Sequence, residues 1–170
     1  MSEQRVALVD SRPHLWRTRF ERLRARIAAT VPDAVVEHIG STAVIGLPAK
    51  DVVDVLVGVA EGRVESVVEV LVAAGWDLEG MRAGHAWLSV PRRNERTAVA
   101  HVVVLDGAEW RDRLDFRDLL RNSDEARSRY LQTKRTAAVQ ADGWGEYTAM
   151  KAAIVSDLLR RSREGSGDGL

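Results

Sequence analysis

Residues 37–50 read Glu37-His38-Ile39-Gly40-Ser41-Thr42-Ala43-Val44-Ile45-Gly46-Leu47-Pro48-Ala49-Lys50, and Val52-Val53-Asp54-Val55-Leu56-Val57 follow almost at once. Val35, Val36 and Ile39 predict a short strand that runs into the Gly40-Ser41-Thr42 turn. A glycine there lets backbone approach a ligand closely, and the adjacent hydroxyls add donors to exposed amides, as in phosphate-cradling loops. Lys50 would neutralise an anionic ligand. The second run is apolar and rich in β-branched residues, which predicts a central strand buried on both faces. Asp54 is a charge inside that strand, and such a carboxylate is rarely fully buried unless it is paired or holds a cation. A plainer alternative fits the same residues: a turn whose hydroxyls cap a short helix, with Asp54 paired to an arginine.

Upstream, Ser11-Arg12-Pro13 predicts a helix start, with Pro where its missing donor does no harm. Trp16, Phe20, Leu23 and Ile27 then form one apolar stripe at helical spacing, which Pro32-Asp33 ends. Downstream, Val64, Val67, Val68, Leu71 and Val72 predict a helix within Glu61 to Ala74, closed by Gly75. Strands are expected at Trp76–Glu79, Ala86–Val90 and Ala98–Leu105. Three helices follow, from Glu109 to near Arg121, Asp124 to near Val139, and Gly145 to near Arg160. This order predicts an α+β domain with a mixed or antiparallel sheet and a helical C-terminal segment. The dinucleotide glycine fingerprint and the phosphate-loop lysine motif are both missing.

A length of 170 residues fits a single domain, expected over 1–161, with a flexible Gly- and Ser-rich tail over 162–170. The chain has no cysteine, which excludes a disulfide framework and a thiolate zinc site and suits the cytoplasm. No apolar run reaches the ~20 residues of a membrane span, so no membrane association is expected. Basic and acidic residues balance at 25 each, so no global field draws the chain to nucleic acid. Of those 25 basic residues, only Lys50, Lys134 and Lys151 are lysine. In so Arg- and Ala-heavy a chain, positions that stay lysine are candidates for needing a compact ammonium rather than a planar fork.

The stretch from His38 to Asp54 closely resembles the signature of the GrpB-like family of small bacterial proteins. The resemblance continues in order through His101, Phe116-Arg117-Asp118, Leu120-Arg121, Tyr130 with Lys134, and Tyr147 with Lys151. It spans about residues 12 to 158. It implies a nucleotidyltransferase-type α+β fold, a small mixed sheet packed with helices. A related domain fused to dephospho-coenzyme A kinase looks like a folding accessory. Two positions depart from the family pattern: Asp51 stands where proline usually follows the lysine, and Val99 where a second histidine usually precedes His101.

Nucleotidyl transfer in that superfamily uses a Gly-Ser turn, two acids spaced by one residue on the next strand, and a third acid on a later strand. The acids hold two divalent ions. Gly40-Ser41 and Asp54 match, but the second acid position is Leu56 and the later strand offers His101. One carboxylate and one imidazole make a poor magnesium cage. They could hold a single softer divalent ion or form an Asp–His general base, and a purely structural pair remains an alternative. Arg117 with Arg121, Tyr130 with Lys134, and Tyr147 with Lys151 are each four apart, so each pair shares one helix face.

The expectation is therefore a small anionic or nucleotide ligand held by Gly40, Ser41, Thr42, Lys50, Arg117, Arg121, Tyr130, Lys134, Tyr147 and Lys151. Asp54 and His101 would be central to catalysis or to a single metal ion. The alternative is a non-catalytic accessory module that engages a protein partner.

Overall fold

The structure, a computed structural model, describes residues 7–140 and 144–166. Its elements run α1 (Pro13–Thr30), β1 (Val35–Ile39), a 3-10 turn (Ser41–Ala43), β2 (Val53–Val59), α2 (Val64–Ala73), β3 (Asp77–Arg82), β4 (His85–Val90), β5 (Ala98–Val104), α3 (Ala108–Asn122), α4 (Asp124–Gln140) and α5 (Trp144–Gly165). The five strands form one mixed sheet in the order β1-β2-β5-β4-β3. Only the β2–β5 pair is parallel. The α+β class and the mixed sheet expected from the sequence are what the chain adopts.

Alternation along the strands separates two cores. On one face, Val53, Val55 and Val57 of β2 join Ala98, Ala100 and Val102 of β5 and Leu88 of β4. They pack against Trp16 and Ile27 of α1 and Val67 and Leu71 of α2. The four apolar positions of the α1 stripe are all buried. On the opposite face Leu56, Ile39 and Val103 pack under Trp110 of α3. A Cβ added at Gly58 would lie 2.7 Å from Trp110 Cζ3 and 2.8 Å from Leu105 Cδ1, so this strand position seats α3 on the sheet. Gly58→Ala is expected to lower the urea-unfolding free energy by about 1–3 kcal/mol through overpacking. An unchanged midpoint would mean that α3 docks more loosely than this contact shows.

A third cluster ties the Ser41 turn to the C-terminal helices. Val44 and Leu47 pack with Leu120 of α3, Ala126 and Tyr130 of α4, and Leu158 of α5. This small core brings the α4 and α5 side chains over the turn.

Asp51 precedes β2 and faces α1. It accepts hydrogen bonds from Trp16 Nε1 at 2.9 Å and Arg19 Nη1 at 3.0 Å. Helix α5 continues to Gly165, past the Ser162 at which the sequence suggests a tail. The added turn is held by Arg163, whose Nη2 donates to Asp112 at 2.6 Å and Asp115 at 3.2 Å on α3. The rest of that expected tail, 167–170, lies outside the described residues.

Candidate functional site

Gly40 adopts φ 73 and ψ −172, a combination that side chains essentially exclude. There the chain leaves β1 and turns over the start of β2. A Cβ at this position would sit 2.6 Å from Asp54 Oδ2, so the glycine also makes room for the carboxylate. Asp54 pairs in register with Ile39 of β1 and Val99 of β5. Its side chain keeps 35% of its surface accessible. It is therefore crowded without being sealed.

His101 lies on the same sheet face, and its Nε2 is 3.6 Å from Asp54 Oδ1, a polar contact just beyond hydrogen-bond length. The expected meeting of these two residues occurs. Burial alone would raise the Asp54 pKa, but the facing imidazole and the Lys151 and Arg113 charges outweigh it and hold the carboxyl below its usual range. Burial also drives the His101 pKa down, against the pull of Asp54. At neutral pH the pair is a carboxylate beside a neutral imidazole.

Behind His101 stands a residue the sequence reading missed. His85 Nε2 is 3.2 Å from His101 Nδ1, and Arg113 Nη2 approaches the same His85 nitrogen at 3.4 Å. The only sequence cue was a histidine at period two with Trp87 on β4. Its relation to His101 depends on the antiparallel register of β4 and β5, which local pattern does not encode.

The three lysines, 84 and 17 residues apart in sequence, meet above the turn. Lys134 is 1% exposed, and its Nζ donates to Ser41 Oγ at 2.9 Å and to the Pro48 carbonyl at 2.8 Å. Lys50 Nζ lies 4.1 Å from the centroid of the Tyr147 ring, with Lys151 Nζ 5.4 Å from the same centroid. Lys134 lies 5.5 Å from the Tyr130 ring. Burial, reinforced by the Lys151 charge, lowers Lys50 and Lys134 to about 7. Lys151 is raised instead: burial opposes its charge, but Tyr130, Tyr147 and Asp54 together outweigh it.

Three other expected ligand residues make contacts within the fold. The Thr42 hydroxyl is buried and lies 2.9 Å from His38 Nε2. The His38 ring stacks on Phe20, and burial lowers its pKa to about 4. Arg117 donates to Glu37 at 2.7 Å, Asp118 at 2.9 Å and the His38 carbonyl at 3.2 Å. Arg121 Nε donates to the Ala43 carbonyl at 3.0 Å. Both arginines thus clamp α3 onto β1 and the turn.

Leu56, at the position of a second acid, is fully buried under Trp110. Asp106 follows the C-terminal end of β5, whereas Asp54 lies near the opposite end of the sheet. Among the described residues no group of three His, Cys, Asp or Glu converges. Asp54 Oδ1 and His101 Nε2 are the two donors here that could face one ion, whose other coordination positions would have to come from ligand or water oxygens.

The family model described as GrpB protein matches residues 5–161. A UPF0157 protein of Deinococcus radiodurans is 46% identical over 157 residues, 92% of this chain and 82% of that one. The crystal structure of the conserved protein GrpB from Enterococcus faecalis superposes with a TM-score of 0.75 at 25% identity, covering 92% of this chain and 99% of that one. The poly(U) polymerase Cid1, bound to Mg 3'-dATP, aligns with a TM-score of 0.54 at 12% identity, over 83% of this chain and 49% of Cid1. That likeness establishes a nucleotidyltransferase-like fold. With that family model matched over nearly its whole length, the chain belongs to the GrpB family.

Proposed function

We propose that this GrpB-family chain binds a small polyanion, of the kind a nucleotide's phosphate chain presents, over the Ser41 turn. One observation carries this: the chain's three lysines, against 22 arginines, gather on two tyrosines near Asp54. A chain seeking mere surface charge would use arginine here as it does elsewhere. Half-buried or buried ammonium groups held this close repel one another, and a bound anion removes that cost.

Asp54 and His101 then sit where a hydroxyl attacking a phosphoryl group would lose its proton, so transfer is the reaction the arrangement suits. They would also hold one divalent ion, which supplies charge neutralisation on the phosphates. With Leu56 in the second acid position, the two-ion cage of the fold is not available. No helix among the described residues is long and apolar enough to cross a membrane, and we place the protein in the cytoplasm with its cysteine-free composition.

Thermal-shift and calorimetric titrations with UTP, ATP and inorganic tripolyphosphate, with and without Mn²⁺, test the site. A ligand at 100 times its Kd adds about 2.7 kcal/mol. For a chain of this size that corresponds to roughly 5–11 °C. Lys50→Ala and Lys151→Ala are each expected to weaken binding at least about tenfold, the value of a charge-assisted hydrogen bond. Arg24→Ala, on the exposed face of α1, should change nothing. If none of the three anions stabilises the protein, the accessory-module alternative takes the place of ligand binding.

A further inference from the structure

On β4, Trp87 pairs in register with His101 of β5, which places the indole beside the imidazole on the Asp54 face of the sheet. Three other tryptophans are consumed by packing: Trp16 is 0%, Trp76 3% and Trp110 6% exposed. Both tyrosines are buried against lysines. Trp87 keeps part of its surface accessible. Unlike that of Trp76, its indole N–H is not sealed from solvent, and no described residue accepts it.

The ring is nevertheless held in place. Gly80 of β3 lies against it, and a Cβ there would overlap Cζ2 of the indole. The β3–β4 register shifts at that point, between Leu78 and Gly80. A glycine inside a strand weakens it and marks a close approach, here by the Trp87 ring. His85 supports the indole from the next position on the same face, 5.3 Å between centroids at 49°. The result is an immobilised, partly accessible indole with an unused donor.

Two strand spacings and a two-residue rise separate Trp87 from Asp54, roughly 12 Å between their Cα atoms. That is about the reach from the base of a nucleotide to the far end of its phosphates. We propose that Trp87 is the platform on which a nucleobase stacks while the phosphates lie on the lysines, so that the ligand class is a nucleotide and not a bare phosphate or carboxylate. This rests on the anion site proposed above.

Isothermal titration of the full chain with UTP, ATP and inorganic tripolyphosphate separates the two ideas. Base stacking on one aromatic side chain corresponds to roughly 5- to 150-fold in affinity. The wild type should therefore bind a nucleotide that much more tightly than tripolyphosphate. Trp87→Ala should erase the gap and leave tripolyphosphate affinity unchanged, while Trp87→Phe should retain most of it. Should Trp87→Ala fail to fold, quenching of tryptophan fluorescence by bound nucleotide in the wild type, reduced in Trp87→Phe, reads the same contact. Equal wild-type affinity for tripolyphosphate and both nucleotides, or a gap that survives in Trp87→Ala, overturns the platform while leaving the anion site intact. Binding of none of the three probes overturns both.

Discussion

In Gly40→Ala the free energy of unfolding is expected to fall by roughly 2–6 kcal/mol, a large share of the 5–15 kcal/mol typical of a domain. Two costs add. The backbone at φ 73, ψ −172 is a glycine-only conformation, which charges a side-chain-bearing residue about 1–3 kcal/mol. The new methyl would also meet Asp54 Oδ2 at 2.6 Å and Asp54 Cβ at 3.1 Å, and relieving such overpacking costs a further 1–3 kcal/mol or so. Gly46 supplies the control, because it too has a positive φ, 85, but open space where its Cβ would be. Gly46→Ala should show the backbone strain alone, about 1–2 kcal/mol. In the Gly40→Ala/Asp54→Ala double variant the closest contact is gone, so the two costs should be non-additive by at least about 1 kcal/mol. Urea denaturation of the wild type, Gly40→Ala, Asp54→Ala, the Gly40→Ala/Asp54→Ala double variant and Gly46→Ala measures this. If Gly40→Ala costs no more than Gly46→Ala, the turn is not packed against the carboxylate.

The elements were legible where one local period governs them. The Trp16, Phe20, Leu23 and Ile27 stripe is buried in full, and the β2 run is covered on both faces apart from Asp54. The i,i+4 pairs on the last two helices also turn toward the site, because spacing fixes which residues share a helix face. Their partners were not legible. Arg117 and Tyr130 both stand in such pairs, yet the arginine is taken by Glu37, 80 residues away, and the tyrosine enters a small apolar core. Thr42 stands beside Ser41 in the sequence, but the short turn sends its hydroxyl to His38 while Ser41 meets Lys134. Residue types announced donors, and only the tertiary arrangement decided which donors the fold itself consumes. The lysines were the exception, since rarity against 22 arginines marked them before any contact was known.

Those lysines give the site a pH dependence whose sign follows from their surroundings. Lys50 and Lys134 titrate near 7, lowered by burial first and by the Lys151 charge second, with Asp54 pulling the other way. Arg96 adds to the depression at Lys50. In the unfolded chain both titrate near 10.5. Between pH 7 and that value the unfolded state binds more protons, so the ligand-free protein should become more stable as pH rises. A bound polyphosphate acts in the opposite sense. It offsets the Lys151 repulsion and restores both ammonium groups, so binding takes up protons and weakens as they become scarce. From pH 7 to pH 8 each lysine contributes about a fivefold loss of affinity and the pair about 30-fold, provided their pKa values in the complex lie well above 8. Calorimetry with tripolyphosphate in two buffers of different ionisation enthalpy counts the protons directly, and one to two per site are expected near pH 7.5. Lys50→Met should remove about half of that uptake. Constant affinity across this interval, with no buffer-dependent heat, would show that the lysines are already charged in the free protein and that their burial does not poise them for an anion.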